Sequence, residues 1–328
     1  MKYFSEDCPE LSKKIDLFFH ILAQCNDQYY SGKLSIILLG SLSREEASWF
    51  NDNGCFCLLS DIEFFVVHPC SIKNFEILEK TAKEAEREIF ATESKLFHID
   101  YGYVSIDSMK NMERKLLIFD AIQMGKIVVG DNVLENFPKT TIDNINYEDI
   151  KDILIHRTFS ALYYGKDLKY TKRIEEYRYN IAKNTLDLMT VVLALNGILV
   201  SGFGNKLQLI MQQNLPDHIK EYFSYCLDVK LGKNTSIEMS INQMEILFIN
   251  LVECLNKDFV IPYKNYFTNF KFIFRRRCGI VKRMINSKTM TLGRKKYLDK
   301  LIKCFKEDKS LDLQMLRENY VLNGYPLI

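Results

Sequence analysis

Two short apolar runs, residues 36–39 and 62–67, constrain this chain more than any other feature, because polar groups stand at fixed places along them. The first ends on Gly40-Ser41 in I-I-L-L-G-S-L-S-R, and the second carries Asp61 and Glu63 at its start in L-L-S-D-I-E-F-F-V-V. Side chains alternate faces along a strand, so residues two apart point the same way. Asp61 and Glu63 therefore project together, with Ile62 and Phe64 on the opposite side. Two carboxylates on one face repel each other unless a cation lies between them. A Gly-Ser turn nearby offers backbone N–H groups, which suit phosphate oxygens. A third run, F-H-I-D-Y-G-Y-V, places His98, Asp100 and Gly102 on one face and Phe97, Ile99, Tyr101 and Tyr103 on the other.

Gly40-Ser41, Asp61-x-Glu63 and Asp100, in that order, resemble the signature of the nucleotidyltransferase superfamily that includes DNA polymerase beta. The wording G-S-L-S-R with S-D-I-E is most similar to the kanamycin (aminoglycoside) nucleotidyltransferases. The resemblance implies an N-terminal α/β (α+β) catalytic domain with a mixed sheet, followed by an all-α helical bundle. It implies Mg²⁺, as a pair of ions, held by Asp61, Glu63 and Asp100. An NTP would lie against Gly40, Ser41 and Arg44, and its NMP would pass to a hydroxyl of a small, aminoglycoside-like acceptor. Asp100 would complete the metal site or take the acceptor's proton. In the kanamycin enzymes a later helix brings a Glu and, one turn on, a Lys to the nucleotide. Lys183 in R-I-E-E-Y-R-Y-N-I-A-K is the match for that Lys, while Tyr179 stands where the pattern has Glu; Glu175 and Glu176 lie two turns away. A homodimer sharing its sites is one arrangement the resemblance allows. The interval from Ser41 to Asp61 is longer than is usual in the superfamily, and residues 47–56 read as an extended loop or small flap.

Along the chain, periodicity predicts a helix over 10–30, strands over 34–39 and 62–67, a helix over 72–90, a strand over 97–104, a helix over 112–124 and a strand over 126–129. These make a sheet with helices on one side, within a domain spanning 1–140. After Pro138 and a polar run, helical patterns cover 150–164, 171–199, 207–213, 217–227 and 243–256, giving a helical domain over 147–328.

Net charge is only +2, but the segment that begins at Lys271 and ends at Lys300 holds eleven Lys or Arg against Asp299 alone. The remainder carries 33 basic and 41 acidic residues, a body of about −8. Such a patch keeps RNA in play as acceptor or partner, and the stripe Tyr263, Tyr266, Phe267, Phe270 and Phe274 beside it could stack bases, although its spacing suits a packing face better. A protein acceptor, or a non-catalytic nucleotide-binding protein of the same fold, are the competing readings. No basic-then-apolar leader and no membrane-length apolar run are visible, and nine scattered cysteines suit reduced thiols, so a cytoplasmic protein without membrane association is expected. Cys55, Cys57, His68 and Cys70 lack a second C-x-x-C pair and make a poor zinc set. Gly202-Phe203-Gly204 lacks the setting of a dinucleotide fingerprint and reads as a helix stop. His98 reads as a structural histidine.

Overall fold

The structure, a computed structural model, describes residues 1–258 except 7, 53, 91–96, 146, 165–173 and 234–238, together with Lys303. The basic segment 271–300 and the aromatic positions 263–274 lie outside the described residues. The chain divides into two units: residues 1–146 with 196–213 and 224–236, and residues 147–195 with 214–223 and 237–328.

The first unit is mixed α/β. Helix α1 (Pro9–Tyr30) begins with Pro at its first position, where no amide partner is needed. It ends at Ser31 in the left-handed conformation. Its buried Asn26 then acts as a template for the next strand: the side-chain amide donates to Leu34 O and its oxygen accepts from Leu34 N, both at 3.0 Å. Strand β1 (Ser35–Leu38) follows, then a single turn, α2 (Gly40–Ser43), the hairpin β2 (Trp49–Asp52) and β3 (Cys55–Leu58), and strand β4 (Ile62–His68). Next come α3 (Glu76–Ile89), β5 (Ile99–Ser105), the short α4 (Ile106–Met109), α5 (Leu116–Met124) and β6 (Lys126–Val129). The main sheet has the order β5-β4-β1-β6, with β4 and β5 parallel and β1 antiparallel to both its neighbours. The 47–56 stretch is thus mostly the β2–β3 hairpin, its strands paired from Trp49–Leu58 to Asp52–Cys55.

Both faces of the sheet are covered, where the sequence suggests helices on one side only. Ile36, Leu38, Ile62, Phe64 and Val66 pack on α1 and α3, with Phe18 edge-on to Phe19, Phe64 and Phe90. Ile37, Leu39, Val67 and Val104 face the other way, against Met109, Ile118, Ala121, Val133 and Phe137. An apolar run with no alternation buries both sides of its strand, so a second layer follows from residues 36–39 themselves. The first unit also takes in α8 (Phe203–Gln212) and the last turns of α9 (Asp217–Lys230). Gly202-Phe203-Gly204 starts a helix here and does not stop one. Gly202 takes a φ of +83° at the N-cap, and Glu46 Oε1 accepts from the amides of Phe203 and Gly204. A carboxylate at a helix N-terminus meets the positive end of the peptide dipoles.

In the second unit the described residues form helices and a π turn: α6 (Tyr147–Phe159), Ser160–Tyr164, α7 (Ile174–Leu195) and α10 (Ile241–Asp258), with the first turns of α9. Tyr222 joins three of these, its hydroxyl meeting Thr185 Oγ1 at 3.1 Å and donating to Met244 O at 2.9 Å. Among the described residues no helix is long and apolar enough to cross a membrane.

Candidate active site

Two backbone hydrogen bonds assemble the site. Ile62 N donates to His98 O at 3.1 Å, which sets the register that places Glu63 abreast of Asp100. Leu39 N donates to Glu63 O at 2.7 Å, so the end of β1 is held beside the start of β4. Gly40 and Ser41 must then begin next to Glu63. Asp61, immediately before β4, and Glu63 share a face with His98 and Asp100 by alternation along the parallel pair.

His98 is the residue that sequence reasoning undervalued. Its Nδ1 lies 2.9 Å from Asp61 Oδ1 and its Nε2 lies 2.8 Å from Asp100 Oδ2. An imidazole with a carboxylate at each nitrogen donates twice, which makes it an imidazolium. Hydrogen bonds to Asp100, then to Asp61, push its pKa up to about 10 against the opposing effect of burial. Asp61 is only 7 % exposed, whereas the side chains of His98 and Asp100 are 54 % and 66 % exposed. Alternation alone placed His98 on the acidic face; no spacing rule could show that it bridges the two outer carboxylates.

As the side chains stand, no three His, Cys, Asp or Glu groups among the described residues meet closely enough to hold a metal ion. The fit to a hard divalent cation lies in the donors and their charge. Asp61, Glu63 and Asp100 offer only oxygen, as Mg²⁺ prefers, and a cationic group already sits between two of them.

Gly40 is required where it stands. Its φ is +66°, and a Cβ there would lie 2.0 Å from Glu63 Oε2. The missing side chain is what admits the Glu63 carboxylate against the β1–α2 turn. Gly40→Ala is expected to cost about 1–2 kcal/mol, read by urea denaturation. Adding Glu63→Ala should return the part due to collision and leave the part due to backbone strain; strictly additive losses would show that the two residues do not meet.

The other expected nucleotide contacts are distributed differently. Ser41, half-buried, is the second residue of α2 and its carbonyl accepts from Glu46 N at 2.9 Å. The Arg44 guanidinium pairs with Glu46 Oε2 at 2.9 Å and Asp120 Oδ2 at 3.8 Å and lies 5.2 Å from the centre of the Phe203 ring. Asp120 in turn accepts from Ser201 Oγ. Arg44 therefore helps tie α2 to α5 and α8. Lys183 belongs to the second unit, on α7, with Tyr179 buried one turn before it. There it and Arg157 act on His156. Burial first, then Arg157, lower the His156 pKa to about 4, with Lys183 adding and Asp187 opposing. Arg157 itself pairs with Asp187 at 2.8 Å.

Because the folded chain keeps His156 neutral down to about pH 4 while the unfolded chain protonates it near 6.5, the unfolded state binds the extra proton between those values. Stability is expected to rise by about 3 kcal/mol from pH 4 to pH 6.5 on this account and then level off. His156→Gln should flatten that limb of the urea midpoint against pH; an unchanged limb would assign it to other groups.

Of the weak zinc set, Cys70 Sγ meets Ser105 Oγ at 3.0 Å and His68 Nδ1 meets Pro69 O at 2.9 Å, separate local contacts. One further residue borders the site. Lys230, 1 % exposed, donates from Nζ to Ser48 Oγ at 2.8 Å and to Ser60 Oγ at 3.1 Å, and Ser60 immediately precedes Asp61. No protein-family model matches the chain, and no curated protein matches it significantly.

Proposed function

We propose that this protein is a nucleotidyltransferase that moves an NMP from an NTP to a hydroxyl of a small-molecule acceptor. One observation carries the reading: Asp61, Glu63 and Asp100 share one sheet face beside a Gly40-Ser41 turn that the Glu63 carboxylate touches where a side chain would otherwise be. Asp61, Glu63 and Asp100 would hold Mg²⁺, which when bound neutralises triphosphate charge and polarises the α-phosphoryl group. Gly40 leaves the backbone open to close approach, and Ser41 would donate its N–H and hydroxyl to phosphate oxygens. Asp100, the most exposed of the three acids, is the one suited to receive the acceptor hydroxyl's proton as the bond to phosphorus forms and pyrophosphate leaves.

The test is release of pyrophosphate from each of the four NTPs with Mg²⁺, across cationic small molecules, RNA and protein as acceptors, with a chelator control. A second reading, nucleotide binding without turnover, is favoured by the engagement of Arg44 with Glu46 and Asp120. It would appear as NTP binding with no pyrophosphate from any acceptor. Neither binding nor turnover would remove both.

A further inference from the structure

We infer that His98 occupies the cation position of the acidic face, as a built-in substitute that a divalent metal must displace. The inference rests on the reading of Asp61, Glu63 and Asp100 as metal-holding residues.

Glu63 and Asp100 are directly abreast on parallel strands, and Asp61 lies on the same face one pair away, abreast of His98. Like charges at neighbouring strand positions destabilise the pairing, so three carboxylates here work against the sheet that displays them. His98 relieves this from within: one ring reaches Asp61 across the strand pair at 2.9 Å and Asp100 along its own strand at 2.8 Å. The ring thereby takes one oxygen from each acid that a metal would need. It also accounts for acids that share a face without converging on one point.

The geometry also shows how the ring can leave. With 54 % of its side chain exposed, His98 is not locked by packing and can rotate outward without opening a core. Asp61, at 7 % exposure, cannot move as freely. Metal loading on this view exchanges an imidazole for an ion between carboxylates that stay in place, and the affinity for metal is reduced by whatever the ring's two contacts contribute.

The experiment is Mn²⁺ binding to the full chain at one fixed pH, by electron paramagnetic resonance of the free ion, for the natural protein, His98→Ala, His98→Asn and Asp61→Asn. Removal of the ring is expected to tighten Mn²⁺ binding roughly tenfold, as loss of two charged contacts from a half-exposed ring allows. It should also enlarge the rise in melting temperature that Mn²⁺ produces, since the acids are then unrelieved until the ion arrives. Asp61→Asn should weaken binding. Equal affinity in the natural protein and both His98 variants would overturn the inference while leaving the metal site standing. Weaker binding in both variants would overturn it too, making His98 a ligand. If Asp61→Asn leaves the affinity unchanged, or nothing binds, the metal site and the inference fall together.

Discussion

Asp61→Asn should lower NTP-dependent pyrophosphate release on the order of 10³-fold and leave the melting temperature within a few degrees of the natural protein. The two halves of that expectation have separate causes. Asp61 is the most enclosed of the three acids and sits where Ser60 and β4 meet, so its charge is held in place and poorly screened by water. Loss of that charge removes an anion that, on the proposed function, holds the Mg²⁺ by which triphosphate charge is neutralised. The fold has less at stake. Asn fills the same volume, can still accept a hydrogen bond from His98 Nδ1, and no longer repels Glu63 on the same face. A tenfold loss or smaller would take Asp61 out of the metal-holding set. A large loss of melting temperature would instead make Asp61 a structural partner of His98. Parallel measurement of Asp100→Asn separates the acids, since a proton acceptor shifts the pH profile of turnover, while a residue acting only by charge lowers it at every pH.

What could be read in the chain divides along a physical line. Strand alternation is a local property, and it placed Asp61, Glu63, His98 and Asp100 on one face because each lies within two or three residues of an apolar repeat. Gly40 was legible as a place of close approach for the same reason. Helix ends were harder. Gly202 reads as a stop because glycine with positive φ serves at either end of a helix, and what makes it a start is Glu46, which accepts from the Phe203 amide 157 residues further along the chain. Arg44 could not be assigned from its position after the Gly-Ser turn, since its partners Asp120 and Phe203 come from distant segments. The second layer on the sheet is implicit in the unbroken apolar run of residues 36–39, but which helix packs on which face is not a local property of the chain.

Lys230 is the extreme case of a residue invisible to sequence, and the largest stability effect is expected there. It is the last residue of α9, where a lysine ordinarily snorkels to water. Instead its side chain is buried and its ammonium spans two serines 170 and 182 positions away. Ser48 returns a hydrogen bond to the Lys230 carbonyl, Ser48 N donates to Ser60 Oγ at 2.8 Å, and Leu59 N donates to Ser48 O at 2.9 Å. Helix end, hairpin base and the residue before Asp61 are thus one closed network. Lys230→Ala would empty the volume of three methylenes and an ammonium and leave the Ser48 and Ser60 hydroxyls short of a donor, a cost of about 3 kcal/mol. In a unit of this size that corresponds to roughly 6–12 °C of melting temperature. Lys230→Met restores the volume without the donor, so it should recover a part of the loss and report the hydrogen bonds by what remains. Because Ser60 leads directly into Asp61, both variants should also lower turnover at temperatures where they are still folded. A Lys230→Ala protein that melts within 2 °C of the natural one would show the ammonium to be in water, and the anchoring of Asp61 would then have to come from the β4–β5 pairing alone.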